Sequence, residues 1–294
     1  MKLIRFLYNE EDLYGLLDGG RILILPFLFD WLPKRVEDFI NMGTKAVLDV
    51  ERLVNEVSER DRKEFSIDLN EVKLLAPILN PPKIICLGLN YWDHAAEQGA
   101  RIPDEPIIFM KPRTSIVGPN QPIVKPDFVK KLDYEGELAV IIGKKGKYIP
   151  ISEAREYIFG YTIFNDVTAR DIQFKDRQWT RGKSFDTFAP MGPCIATKDQ
   201  IKNPENLRIR TWVNGELRQD SSTSNMVFSV YEVVHHLSRV MTLEPCDVIA
   251  TGTPAGVGVF MKPEPKFLKP GDLVEIEIEG IGKLRNKVIA EAYA

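Results

Sequence analysis

Residues 133–143 read Asp-Tyr-Glu-Gly-Glu-Leu-Ala-Val-Ile-Ile-Gly, in which three carboxylates at alternate positions precede an apolar run. The apolar run after Glu137 predicts a buried strand. Because side chains two apart on a strand share a face, Asp133, Glu135 and Glu137 are expected to lie together. Three like charges on one face repel unless a cation compensates them. The alternative interpretation of the same pattern is a solvated edge strand kept apart from its neighbours by charge.

Further strand-like runs surround this one on both sides. They are predicted at 84–88, 107–111, 138–143, 160–165, 207–213, 247–251 and 273–278. Helical patterns are fewer, at 92–99, 152–158, 167–175 and 228–240. Many strands with few helices between them predict an α+β, mostly β fold with a mixed, largely antiparallel core.

The first eighty residues have a different pattern. Short apolar runs at 2–8, 13–17 and 21–25 predict a small antiparallel meander, and helical spacing follows at 33–42 and 44–60. A proline-rich joint, Pro77 and then Pro81-Pro82, separates them from the rest of the chain. We therefore predict a small N-terminal α+β domain over residues 1–78 and a catalytic domain over residues 79–294.

Composition excludes several classes of function. The chain has 294 residues, 28% of them charged, with a net charge of −3 and a pI near 5.8. No basic tract marks a nucleic-acid or membrane partner. The three cysteines form no zinc spacing, and an acidic turn interrupts the N-terminus before an apolar signal segment. We expect a cytoplasmic protein that acts on a small molecule.

A second group of polar residues follows the strand predicted at 160–165. Asp166, Arg170 and Gln173 are spaced i, i+4 and i+7, which would place them on one helical stripe. A carboxylate, a cation and an amide on one stripe suit an oxygen-rich, acidic ligand. Alone, an N-cap at Asp166 with an Asp166–Arg170 ion pair is the better explanation of the pattern.

Three further elements carry reactive side chains. His94 and Glu97 are three apart on a predicted helix, so Glu97 can orient the imidazole, and such a pair can activate water. Lys183 lies in a basic segment beside a glycine, and Thr253 lies in a glycine-containing turn that could cradle a carboxylate. Each element alone has an ordinary structural explanation: a core histidine, a solvated loop and a simple turn.

Taken in order, these elements resemble the fumarylacetoacetate hydrolase family over about residues 78–294. The matching motifs are five: Gly88-Leu-Asn-Tyr91-x-x-His94-x-x-Glu97, Tyr134-Glu135-Gly-Glu137-Leu-Ala-Val, Gly160-Tyr-x-x-x-Asn-Asp166-Val-Thr-Ala-Arg170-Asp171-x-Gln173, Gly182-Lys183-Ser-Phe-Asp-Thr-Phe-Ala-Pro-x-Gly-Pro193 and Ile249-Ala-Thr-Gly-Thr253-Pro-x-Gly-Val-Gly258. One such motif is weak evidence, but five in the same order make chance agreement implausible.

The resemblance implies a mixed β-sandwich or roll, a homodimer, and a metal site formed by Glu135, Glu137 and Asp166. The metal would be Mg²⁺ or Mn²⁺, with Ca²⁺ possible in crystals. The residues agree, because an all-carboxylate set suits hard cations and disfavours zinc or copper. Asp133 is expected to support the ligands or to face solvent.

The expected reaction is hydrolysis of a C–C bond in an acylpyruvate-type 2-oxo acid, such as a fumarylacetoacetate- or fumarylpyruvate-like product of aromatic catabolism. His94, oriented by Glu97, would activate water, while Lys183 stabilises the oxygen that becomes anionic. The substrate would contact four further residues: Tyr91, Arg170, Gln173 and Thr253. The alternatives are decarboxylation or isomerisation of oxaloacetate or of a hydroxymuconate-type acid, and dehydration or lysis of a sugar-derived 2-oxo acid.

Overall fold

The computed structural model describes residues 1–176 and 178–292, and strands dominate it. The strands are β1 (Lys2–Tyr8), β2 (Glu11–Asp18), β3 (Arg21–Ile24), β4 (Ser66–Asp68), β5 (Lys73–Leu74), β6 (Ile84–Gly88), β7 (Ile107–Lys111), β8 (Ile116–Val117), β9 (Ile123–Lys125), β10 (Leu132–Asp133), β11 (Gly136–Ile142), β12 (Ile158–Asn165), β13 (Thr168–Ala169), β14 (Ala189–Thr197), β15 (Arg208–Val213), β16 (Glu216–Ser222), β17 (Val248–Ala250), β18 (Leu273–Ile278) and β19 (Gly282–Ala290). The helices are α1 (Leu25–Leu28), α2 (Val36–Asn41), α3 (Thr44–Glu56), α4 (Glu59–Glu64), α5 (Trp92–Gln98), α6 (Ala154–Tyr157), α7 (Arg170–Gln173), α8 (Thr180–Lys183) and α9 (Val230–Val240).

Two sheets and a short ribbon organise these strands. The larger sheet runs β4-β3-β2-β1-β14-β12-β11-β17-β6-β7, with β5 added to β1 and β8 added to β14. The smaller sheet runs β16-β15-β18-β19-β9, and β10 pairs with β13. Most pairs are antiparallel; β17 with β6, β14 with β8 and β19 with β9 are parallel. The predicted α+β, mostly β fold class is confirmed.

Strand β11 carries the stretch that the sequence singled out, and it lies inside the large sheet. It pairs with β12 on one side and β17 on the other, and all seven of its residues are buried. The alternative of a solvated edge strand is therefore wrong. An acidic strand in the middle of a sheet needs compensating charge nearby, because burial disfavours unpaired ions.

Strand order brings the remaining motifs to the same region. Strands β6 and β17 are parallel neighbours, with Ile85 opposite Ile249, so the segments that follow them leave from one edge of the sheet. The first segment leads into α5, and the second is the turn at 251–258. The β11–β12 register sets Gly136 opposite Asn165, which places Asp166 beside the start of β11.

The N-terminal strands form the predicted antiparallel meander and continue into the same large sheet. Within it β1, β2 and β3 pair in sequence, and β1 also pairs with β14 through Leu3 opposite Ile195. The two helical patterns are present but shorter than predicted, since α2 begins at Val36 and α3 ends at Glu56. The domain division at residue 78 stays a prediction.

The helices are short and pack on the sheets. Helix α9 begins with a capping box, in which the Ser229 hydroxyl accepts from the backbone N–H of Glu232 and the Glu232 carboxylate accepts from that of Ser229. The 13-residue α3 is well below the roughly 20 residues that a bilayer needs. Among the described residues, we find no helix whose length and apolar character would let it cross a membrane.

Candidate active site

Three buried carboxylates meet where β11 and β12 pair. Glu135, Glu137 and Asp166 each offer an oxygen, and the three oxygens lie within 4.8 Å of one another. Glu137 belongs to β11, and Asp166 follows β12 directly. The backbone N–H of Asp166 donates to the carbonyl oxygen of Glu135 at 2.9 Å, which ties the two segments together. The structure thus brings together the three residues that the sequence predicted as metal ligands.

The local structure around Asp166 differs from the predicted helix at 167–175. Helix α7 covers only Arg170–Gln173, because Thr168 and Ala169 form β13 and pair with β10. Asp166 therefore neither caps this helix nor shares a helical stripe with Arg170 and Gln173. The three side chains still reach one site, because the ribbon between them turns the chain back toward β11.

Two buried lysines hold the carboxylates, and the sequence had singled out only one of them. Lys183 Nζ donates to Glu135 Oε2 at 2.8 Å and to Asp166 Oδ2 at 2.6 Å. Lys111 Nζ donates to Asp166 Oδ1 at 2.5 Å. Lys111 ends the apolar strand β7, two residues after the inward-facing Phe109. That period-2 position was the available sequence signal.

Asp133 lies behind the cluster and is fully buried. Its carboxylate accepts from Arg170 Nε at 2.8 Å and from the backbone N–H groups of Gly258 and Val259 at 2.8 and 3.0 Å. Arg170 also contacts Glu135 Oε1 at 2.7 Å. Asp133 therefore positions Arg170, in agreement with a supporting role and not with a role facing solvent.

The two glutamates have opposite electrostatic environments. Burial alone would raise the pKa of Glu135, but Lys183 and Arg170 outweigh it and lower that pKa to about 2. Burial raises the pKa of Glu137 well above its ordinary value, and the charges of Asp166 and Glu135 add to the effect. Glu137 Oε1 is buried and has no hydrogen-bond partner among the described residues. A cation near Glu137 would satisfy this oxygen and favour the ionised carboxylate.

The site's charge balance fits a divalent cation. Among the described residues, four carboxylates and three basic side chains contact one another here: Asp133, Glu135, Glu137, Asp166, Lys111, Arg170 and Lys183. When all are ionised, one negative charge is left over. A bound Mg²⁺ or Mn²⁺ would turn it into one positive charge, which suits an anionic substrate. The oxygen-only donor set matches the same two metals.

His94 lies beside this cluster with both ring nitrogens hydrogen-bonded. Nδ1 is 2.6 Å from Glu97 Oε1, and the other Glu97 oxygen accepts from the backbone N–H of Gly256 at 3.0 Å. Because a carboxylate only accepts, Nδ1 carries the proton, and in the neutral imidazole Nε2 holds the lone pair. Gln98 Nε2 lies 2.6 Å from His94 Nε2 and donates to it. The predicted His94–Glu97 pair is present, and Gln98 is a third member that the sequence did not suggest.

The turn after β17 binds the protein's own carboxylates. The backbone N–H of Gly252 donates to Glu137 Oε2 at 2.8 Å, and the N–H groups of Gly256 and Gly258 bind Glu97 and Asp133. These donors were expected to be free for a substrate carboxylate, so that expectation is wrong for them. The Thr253 hydroxyl donates to the Gly136 carbonyl at 2.9 Å. The turn therefore holds the carboxylates of Glu137, Glu97 and Asp133 in fixed positions relative to one another.

A cleft of about 80 Å³ opens beside these groups. Its walls are formed by Leu87, Gly88, Leu89, His94, Gln98, Phe109, Glu135, Arg170, Gln173, Phe174, Trp179, Lys183, Thr253 and Phe260. Four of the predicted substrate and catalytic residues besides His94 line it: Arg170, Gln173, Lys183 and Thr253. Tyr91 is fully buried outside these walls, and its hydroxyl has no hydrogen-bond partner among the described residues.

Gly182 is required for the placement of Lys183. A Cβ at Gly182 would lie 2.8 Å from the backbone nitrogen of Gln173 and 3.1 Å from the carbonyl oxygen of Ala169. Gly182→Ala is therefore expected to push α8 away from α7, and to lower both thermal stability and activity. Gly19→Ala, in the turn between β2 and β3, is a control for glycine replacement: its φ of +55° makes the change strained, but its Cβ would meet no atom within 4 Å, so stability should fall without loss of activity. If Gly182→Ala keeps full activity, close α7–α8 packing does not position Lys183.

Comparison with known proteins gives relatives that cover the whole chain. The family model for the fumarylacetoacetate (FAA) hydrolase C-terminal domain matches residues 83–289. A Xenopus laevis protein named oxaloacetate tautomerase fahd2, mitochondrial, is 47% identical over 98% of this chain and 90% of its own length. Because that relative is mitochondrial by name, the cytoplasmic location stays a prediction.

Two solved structures have the same fold. Fumarylacetoacetate hydrolase from Exiguobacterium antarcticum has a TM-score of 0.86 at 41% identity, over 99% of this chain and 100% of that one. Maleylpyruvate hydrolase from Sphingobium sp. SYK-6, in complex with manganese (II) ion and pyruvate, has a TM-score of 0.80 at 28% identity, with the same coverage. The motifs, the fold and these matches agree: the chain belongs to the fumarylacetoacetate hydrolase family.

Proposed function

We propose that this protein is a divalent-metal-dependent isomerase that interconverts the keto and enol forms of a small 2-oxo dicarboxylate such as oxaloacetate. One observation carries the proposal: the basic Nε2 of His94 faces a small cleft beside the three-carboxylate cluster. The 47% identity to a protein named oxaloacetate tautomerase supports it. Isomerisation, an alternative in the sequence analysis, thus replaces hydrolysis as the preferred reaction.

Each proton transfer has a group suited to it. His94 Nε2 takes a proton from C3 of the keto form, and Glu97 stabilises the imidazolium through Nδ1. The C–H electron pair becomes the C2–C3 double bond, and negative charge moves onto the 2-oxo oxygen. The Lys183 ammonium donates a hydrogen bond to that oxygen. The oxygen then takes a proton from water while His94 releases its own proton to water, so the enol forms and both side chains return to their starting states. The reverse steps return the keto form, so the pair acts in both directions.

Arg170 and Gln173 orient the substrate in this proposal. Arg170 Nη2 is buried without a hydrogen-bond partner among the described residues, and the residue lines the cleft. Burial lowers the pKa of Arg170, but Glu135 and Asp133 outweigh it, so the guanidinium stays charged. Gln173 Oε1 accepts from Arg170 Nη1 at 3.0 Å, which leaves its amide N–H groups for the substrate. Both residues thus suit the C1 carboxylate of a 2-oxo acid.

Removal of the metal is expected to abolish isomerisation. A divalent cation held by Glu135, Glu137 and Asp166 would polarise the 2-oxo group. Protein dialysed against a chelator should lose its activity, and Mg²⁺ or Mn²⁺ should restore it better than Zn²⁺. The measurement follows decay of the enol form of oxaloacetate by its ultraviolet absorbance. Full activity in excess chelator would contradict the metal assignment, and no acceleration with Mg²⁺ or Mn²⁺ would overturn the proposed function.

Hydrolysis of an acylpyruvate is the second candidate. The same His94–Glu97 pair can activate water once Nε2 is free, and a relative of 28% identity is named maleylpyruvate hydrolase. This reaction needs room for a water beside a longer substrate, whereas isomerisation needs only C3 near Nε2. Release of pyruvate from acylpyruvates by the magnesium-loaded protein, without isomerisation of oxaloacetate, would favour hydrolysis.

A further inference from the structure

Gln98 is hydrogen-bonded to Nε2 of His94, the nitrogen that accepts the proton in the proposed reaction. Its amide nitrogen lies 2.6 Å from His94 Nε2, and it lines the same cleft. Gln98 is the last residue of α5 and is only half-buried. Within residues 1–176 and 178–292, His94 is the one hydrogen-bond partner of its side chain. The amide can therefore leave Nε2 by a side-chain rotation that breaks a single hydrogen bond.

We infer that Gln98 recognises the distal carboxylate of the substrate and thereby selects 2-oxo dicarboxylates; this inference rests on the proposed function. For proton transfer, C3 must come to about 3–3.5 Å from Nε2, where the amide now lies. The C4 carboxylate is one bond beyond C3. The displaced amide is then beside that carboxylate and donates to it the hydrogen bond that it gave to His94.

Binding of the substrate therefore frees His94 Nε2, because the Gln98 amide moves from Nε2 to the C4 carboxylate. Without a dicarboxylate, Nε2 stays hydrogen-bonded to Gln98 and is less available to water. A 2-oxo acid that lacks the C4 carboxylate breaks the Gln98–His94 hydrogen bond and offers the amide no charged acceptor in return. Hydrogen bonds to charged groups are stronger than those to neutral groups, so the exchange favours a dicarboxylate. Gln98 is thus a specificity-determining residue and not an acid or base.

Binding of two inert ligands to magnesium-loaded protein tests this role without turnover. The first ligand, 3,3-difluorooxaloacetate, has the C4 carboxylate but cannot enolise; the second, oxalate, has no distal group. Gln98→Met keeps the size of the side chain and removes its donor. Calorimetry should show about 10- to 100-fold weaker binding of difluorooxaloacetate by this variant, and unchanged binding of oxalate. Gln98→Glu should weaken difluorooxaloacetate binding further through charge repulsion.

Ala96→Met is the matched control, because residue 96 is exposed on the same helix. It should bind both ligands as the wild type does. Equal affinity of Gln98→Met and wild type for difluorooxaloacetate would overturn the inference, as would an equal loss for both ligands. No binding of difluorooxaloacetate by the wild type would also overturn it. Wild-type protein that binds this ligand but does not isomerise oxaloacetate would instead overturn the proposed function, so the two failures are distinguishable.

Discussion

His94→Ala is expected to lower the isomerisation rate of oxaloacetate by roughly 10²–10⁴-fold, because it removes the group that moves the C3 proton. Mg²⁺ binding should be unchanged, since none of the three carboxylates is altered. Glu97→Gln should cause a smaller loss, because it only orients and polarises the imidazole through the 2.6 Å contact at Nδ1. The rates are measured at saturating magnesium on one preparation of each variant.

A paired assay separates a proton-transfer role from a structural one. Decarboxylation of oxaloacetate needs charge stabilisation at the 2-oxo group but no base at C3, so the His94→Ala variant should retain much of any decarboxylase activity. Acylpyruvate cleavage, if the wild type has it, should fall with isomerisation. An equal loss of decarboxylation and isomerisation would show that His94 only maintains the shape of the cleft.

Glu137→Gln and Glu135→Gln are expected to change stability in opposite directions while both abolish metal-dependent activity. Glu137 is buried beside Asp166 and Glu135, and it forms no ion pair with a basic side chain within residues 1–176 and 178–292, so its neutral replacement should raise the melting temperature of the metal-free protein. Glu135 binds Lys183 and Arg170, so Glu135→Gln removes one of the two carboxylate partners of each of these buried cations. Breaking such a buried pair costs about 3–5 kcal/mol.

Thermal unfolding with and without chelator measures this difference, and calorimetry measures the affinity for Mg²⁺. Replacement of a residue that only hydrogen-bonds to a metal ligand typically weakens metal binding by about 10- to 100-fold. Loss of one of the three ligands themselves should weaken it more. Since the folded state raises the pKa of Glu137, the metal-free wild type should lose stability as pH rises above the ordinary glutamate range. Glu137→Gln should lack that loss. A destabilised Glu137→Gln protein would contradict this account of the cluster.

The fold class was predicted from short-range patterns, whereas the three-carboxylate cluster was predicted through the resemblance to the fumarylacetoacetate hydrolase family. The apolar run after Glu137 is long enough to specify a buried strand, and the motifs occur in a recognisable order. The interpretation of Asp166 as a helix cap was wrong, because the pairing of β13 with β10 depends on residues more than thirty positions away. Periodicity in a single segment contains no information about such a partner.

Long-range contacts also explain which site residues the sequence analysis missed. Lys111 lies 55 positions before Asp166, and a lysine at the end of an apolar strand usually reaches solvent. The glycines of the turn at 251–258 are visible in the sequence, but the acceptors of its N–H groups are not. These acceptors, such as Glu137 and Glu97, lie more than a hundred positions earlier in the chain. The predicted homodimer and the domain division at residue 78 depend on surfaces, and they stay predictions.

Strand β1 covers an edge of β14 that would otherwise be open, and the meander then extends the sheet outward from it. An uncovered strand presents a row of unpaired N–H and C=O groups to any other chain. A chain shortened to begin at residue 79 would expose that row along β14, next to the strands that carry the carboxylates. The first seventy-eight residues would then protect the protein from edge-to-edge aggregation, even though none of them lines the cleft.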